Sequence, residues 1–127
     1  MGKKLGYRAG MRILADTMPD EIRHEIERST GEKPDWLRIA EPNLNAAHLF
    51  VTSRDDLAVK LRATLPLIDR AGFIWLSWPK KASKVATDIT EDVIRELALP
   101  MHLVDVKVCS VDDIWSGLKL VIRKEHR

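Results

Sequence analysis

The chain has 127 residues, 45% of them hydrophobic and 31% charged, which fits one folded domain over residues 1–127 and excludes a disordered segment. Its formal net charge of +2 is too balanced for a dedicated non-specific nucleic-acid binder. Nucleic acid is not excluded, because Lys3, Lys4, Arg8 and Arg12 open the chain and Lys119, Arg123, Lys124 and Arg127 close it.

The lone Cys109 forms no internal disulfide, and no apolar stretch approaches the roughly 20 residues of a membrane span. No apolar region follows the basic start, so neither export nor membrane association is expected. Cytoplasm is the default.

Glycines and a tyrosine at residues 6–10 read as a turn into a first strand over residues 11–15, which ends at Asp16-Thr17. Pro19 suits the first turn of a helix, Asp20 and Glu21 favour its positive end, and Ile22 with Ile26 gives it one apolar face. This helix ends near Gly31. A second strand is expected over residues 36–40 and a third over residues 48–52, separated by a loop with Pro42 and Asn43. Ser53 is a fitting N-cap for a helix over residues 55–63, with Leu57 and Leu61 facing the core. Pro66 breaks that helix, and Gly72 stops whatever short turn follows.

Phe73, Ile74, Trp75 and Leu76 then form an uninterrupted apolar run of strand-formers, as expected of a central strand covered on both faces. Pro79 ends it, and Lys80, Lys81, Ser83 and Lys84 make a basic loop. Asp88 or Thr90 can cap a helix carrying Val93, Ile94 and Leu97, which ends before Pro100. Val104, Val106 and Val108 alternate with Asp105, Lys107 and Cys109, and Leu118, Leu120 and Ile122 alternate with Lys119, Val121 and Arg123. Residues 112–117 join these two strands as an antiparallel hairpin. The predicted class is α/β: one doubly wound, mostly parallel sheet of about six strands ending in that hairpin. One step strains the pattern, since parallel strands two and three are joined by only about seven residues.

This architecture resembles a reduced methyltransferase-type Rossmann domain, in which the last two strands pair as a hairpin. The runs Trp75-x-x-Trp78-Pro79-Lys80, Leu103-Val104-Asp105-x-Lys107-Val108 and Trp115-Ser116-Gly117-Leu118-Lys119 are similar to those of a bacterial family catalogued as a domain of unknown function. That resemblance implies a fold and carries no catalytic residue.

In open parallel sheets ligands gather beyond the carboxyl ends of the strands. The expected strand ends bring Asp16, Thr17, Trp78, Lys80, Lys81, Ser83, Lys84, Trp115 and Ser116 to that edge. The lysines beside Ser83, ahead of a helix start, are candidates for an anion, while solvated lysines and capping hydroxyls are the bland alternative.

A dinucleotide or adenosylmethionine site calls for glycines after strand one, and the loop Ala15-Asp16-Thr17-Met18-Pro19 has none. Glu41 stands where an acid would take a ribose hydroxyl. The histidines and Cys109 lack metal spacing, and no serine sits in a nucleophile elbow, so no metal, cofactor or catalytic residue is assigned.

The expectation is a non-catalytic binding or regulatory domain with an anionic small molecule or protein as partner. The alternative is a methyltransferase-type enzyme with a degenerate cofactor loop. An open cleft between the first and third strands would favour the enzyme, and a cleft filled by Met18 or tryptophan would favour the binding domain.

Overall fold

The computed structural model describes residues 5–31 and 33–127, so Lys3 and Lys4 lie outside the described residues. Six strands form one sheet: β1 (Arg12–Asp16), β2 (Asp35–Leu37), β3 (Leu44–Phe50), β4 (Ile68–Pro79), β5 (Leu103–Ser110) and β6 (Trp115–Ile122). Among the described residues three α-helices pack on it: α1 (Asp20–Thr30), α2 (Arg54–Thr64) and α3 (Glu91–Ala98).

The strand order is β2-β1-β3-β4-β6-β5, parallel from β2 to β4 and antiparallel through β6 and β5. This is the mixed α/β class that the sequence pattern predicts, with the closing hairpin. Among the described residues no helix is long and apolar enough to cross a membrane.

The sheet is covered on both faces. Leu57 and Leu61 of α2 with Ile94 and Ala98 of α3 meet Ala47, Leu49, Ile74, Leu76 and Trp78 on one side. Ile22 and Ile26 of α1, together with Leu5 and Tyr7, meet Ile13, Ala46, Phe50 and Trp75 on the other. Double coverage explains why Phe73, Ile74, Trp75 and Leu76 of β4 read as a continuous apolar run.

The helix starts follow capping chemistry. Ser53 accepts a hydrogen bond from the Asp56 N–H and Thr90 from the Val93 N–H, and Gly31 closes α1 with a left-handed φ of 75°.

The short link between the second and third strands has a geometric resolution. β2 is three residues long, rather than the predicted five, and β3 begins at Leu44 rather than His48. Six residues (38–43) must return to the amino edge and pass β1. They reach about 20 Å extended, while the strand rise and two strand spacings together require only about 14 Å.

β4 also departs from expectation, since its ladder begins at Ile68. Leu44 pairs with Ile68 but Ala46 with Phe73, so residues 69–72 loop out opposite Asn45. Gly72 is required there: a Cβ would lie 2.6 Å from the Asn45 carbonyl oxygen.

In β5 the register slips between Asp105 and Lys107. The valines therefore do not share one face as their alternation predicts. A β-bulge at Val106 inserts one extra residue and moves every later side chain to the opposite face.

Candidate active site

Successive strands leave β1 outward to β2 and leave β3 the other way to β4, which makes the β1/β3 carboxyl edge the topological switch point. Asp16 ends β1 there. Thr17 follows with a φ of 61°, a left-handed conformation that glycine adopts freely and a β-branched residue adopts only under strain. Its hydroxyl donates to Asp16 Oδ1 at 2.8 Å.

From α2, Lys60 Nζ reaches 2.9 Å from the same Oδ1 and 3.3 Å from Asp56 Oδ2. Partial burial works to lower the lysine's pKa. The hydrogen bonds and charges of Asp16 and then Asp56 outweigh it and carry the value above the ordinary one.

Beside Asp16 opens a cleft of about 440 Å³, walled by Thr17 and Met18 after β1, Asp20 and Arg23 of α1, and Trp36 and Arg38 at the end of β2. That volume lies within the range of small-molecule sites. Arg23 is ion-paired with Asp20 at 2.9 Å. The Trp36 indole N–H donates to Glu27 Oε2, and its ring meets Tyr7 edge-on, which fixes the aromatic wall.

A second cleft, of about 520 Å³, lies at the ends of β4 and β6 over the start of α3 and gathers Trp78, Lys80, Lys81, Thr90, Arg95 and Ser116. Glu91 and Asp92 share this cleft, where they ion-pair with Arg95 at 3.2 and 3.3 Å.

The predicted site residues therefore divide. Asp16 and Thr17 line the first cleft, and Trp78, Lys80, Lys81 and Ser116 the second. Ser83 instead donates to the Lys80 carbonyl oxygen within its own turn, Lys84 takes a left-handed turn position, and Trp115 packs edge-on against Phe50. Trp115 and Ser116 belong to β6 rather than to the hairpin loop.

Asp88, the other cap candidate, accepts from the Arg54 N–H and so ties the segment before α3 to the start of α2, while Thr90 caps α3. Glu41 is corrected outright. It pairs with Arg12 at 2.8 Å, at the amino edge, because the short return loop carries it away from the β2 end.

Three features escaped the sequence. Lys60 sits on a helix face among other charges, and Arg23 and Arg38 are isolated bases, so only the tertiary fold brings them to Asp16. The third is a buried chain in which Tyr7 Oη lies 2.9 Å from His48 Nδ1 and Ser77 Oγ lies 2.6 Å from His48 Nε2. Its one sequence signal is a histidine inside the apolar run of β3.

No protein-family model matches the chain, and no curated protein matches it. The motif likeness to a bacterial family of unknown function is accordingly unsupported, and only the architectural likeness stands. Solved structures match strongly. A SAM-dependent methyltransferase from Aquifex aeolicus (SAM, S-adenosylmethionine) superposes with a TM-score of 0.67 at 11% identity, over 94% of this chain and 87% of that one. Magnesium protoporphyrin IX methyltransferase from Synechocystis, with bound SAM, gives 0.60 at 11% identity over 95% and 74%. A TehB-like SAM-dependent methyltransferase from Corynebacterium glutamicum gives 0.60 at 10% identity over 96% and 85%.

At these identities the likeness establishes the fold: a six-stranded, methyltransferase-like Rossmann domain. The repeated match to SAM-dependent methyltransferases also overturns the expectation of a non-catalytic binding domain using a basic edge.

Proposed function

We propose that the chain is a methyltransferase-type enzyme that holds S-adenosylmethionine in the cleft beside Asp16. The observation that carries this reading is the cleft's position at the carboxyl ends of β1 and β2, on the β2 side of the switch point rather than between β1 and β3, above a turn in which Thr17 keeps a glycine-like backbone.

The residues fit the methionyl half of the cofactor. Its ammonium finds carboxylates in Asp16 and Asp20 and its carboxylate finds the guanidinium of Arg23, while Trp36 offers a flat wall to the purine of the other half. The departure lies at the end of β2, where Arg38 in place of an acid meets the ribose hydroxyls as a donor. Thr17 and Met18 in place of glycines also narrow the approach.

When bound, the cofactor supplies an electrophilic methyl group. The chain's part is to bind and orient it: Asp16 is held in place by Thr17 and Lys60, and Met18 and Trp36 line the cleft together with Asp16 and Arg23.

Calorimetric titration tests the reading. Micromolar binding of SAM or S-adenosylhomocysteine is expected, weakened about tenfold (about 1.4 kcal/mol) by Arg38→Ala or Asp16→Asn at a nearly unchanged melting temperature. Wild-type protein that binds neither ligand at about millimolar concentration overturns it.

A further inference from the structure

The acid that ends β1 already holds a cation. Lys60 Nζ and the Thr17 hydroxyl both converge on Oδ1 of Asp16, at 2.9 and 2.8 Å. A carboxylate has two oxygens, so Oδ2 is the oxygen left to a ligand. α2 does not need this contact to fold: Ser53 caps it, Leu57 and Leu61 bury its apolar face, and Asp56 lies one turn from Lys60 and would engage it in any case. The contact with Asp16 is therefore a property of the site, made by a residue that stands outside the cleft wall.

We infer that Lys60 is a specificity-determining residue, a tethered counter-ion on Asp16 that weakens the cleft's hold on ligands bearing an ammonium group; this rests on the cofactor reading above. A ligand ammonium on Oδ2 would stand about 5 Å from the lysine ammonium. Like charges at that separation, screened only partly by a half-buried setting, repel strongly enough to reduce affinity by an order of magnitude or more. The lysine side chain is 21% exposed and that of Asp16 32%, so water can hydrate the carboxylate once the lysine is removed, and the variant should fold. Arginine at the same position keeps the charge and hence the effect.

The test compares two probes that share a nucleoside and a thioether. S-adenosylhomocysteine carries the amino-acid ammonium, and methylthioadenosine lacks it. Lys60→Met and Lys60→Gln should bind S-adenosylhomocysteine about tenfold more tightly than wild type in calorimetric titration. Methylthioadenosine affinity should not change, and Lys60→Arg should behave as wild type. A melting transition close to that of the wild type confirms that each variant is folded.

S-adenosylhomocysteine binding that is unchanged or weaker in the Met and Gln variants, with wild-type binding intact, overturns the inference and leaves the cofactor reading standing. An equal gain for both probes also overturns it, because relief of crowding rather than of charge would then be the cause. If neither probe binds any of the proteins, both the inference and the cofactor reading fall.

Discussion

His48 is an ionisable ring in the middle of a sheet, and its neighbours explain how the fold accommodates it. The ring is fully buried, with Tyr7 Oη on one nitrogen and Ser77 Oγ on the other, so the neutral imidazole has both its donor and its acceptor satisfied. Burial disfavours the imidazolium and lowers the pKa from 6.5 to about 3. The unfolded chain therefore takes up the proton first as pH falls. The neutral ring's contribution to stability is complete above about pH 6.5 and is lost progressively as pH falls toward about 3, at up to about 1.4 kcal/mol per pH unit. Urea denaturation at about pH 7.5, 6 and 5 should show that slope. His48→Gln should be less stable at neutral pH but flatten the acid limb, and an equally steep limb in the variant would assign the slope to other groups.

Among the elements, β5 shows how one residue sets the character of an edge. It is the outer strand of the hairpin, and at the bulge Val106 is 55% exposed. The pairs on either side, Asp105 with Leu120 and Lys107 with Lys119, are consecutive along β6. Deleting Val106 thus restores a continuous ladder without moving any other pair. The deletion is expected to cost less than about 1 kcal/mol in chemical denaturation, well below the typical effect of a core change. The straightened edge should pair with itself more readily, since bulges protect edge strands from such pairing. Size-exclusion chromatography across a concentration series checks this: a deletion variant that stays monomeric wherever the parent does would show that Lys107, rather than the bulge, guards the edge.

For the molecule as a whole, the least conspicuous segment closes one face of the sheet. α1 covers only part of the face that carries Trp75, and Leu5 and Tyr7 complete it, with the Trp75 indole N–H donating to the Leu5 carbonyl at 2.7 Å. Tyr7 also stacks on Phe73 and bonds His48. A chain beginning at Arg8 would expose that apolar surface and leave two buried polar groups without partners. The expected loss is more than about 4 kcal/mol, a large share of the about 5 to 15 kcal/mol that holds a domain of this size. Thermal and urea melts of the truncated chain measure it, and an unchanged midpoint would mean that the segment is not part of the core.

Local sequence determined what depends on local chemistry. The caps at Ser53 and Thr90, the stop at Gly31, the two-sided burial of β4 and the closing hairpin all follow from side chains acting on their own stretch of backbone. The α/β class follows from their order. Tertiary structure decided what depends on partners distant in the chain. Glu41 left the carboxyl edge because a three-residue β2 let the loop return early to Arg12, and Asp88 spent a hydrogen bond on the backbone N–H of Arg54, 34 residues away. Lys60 met Asp16, 44 residues away, because α2 folds back over the switch point, and a spacing that no helical or strand period encodes is visible only once the sheet is assembled.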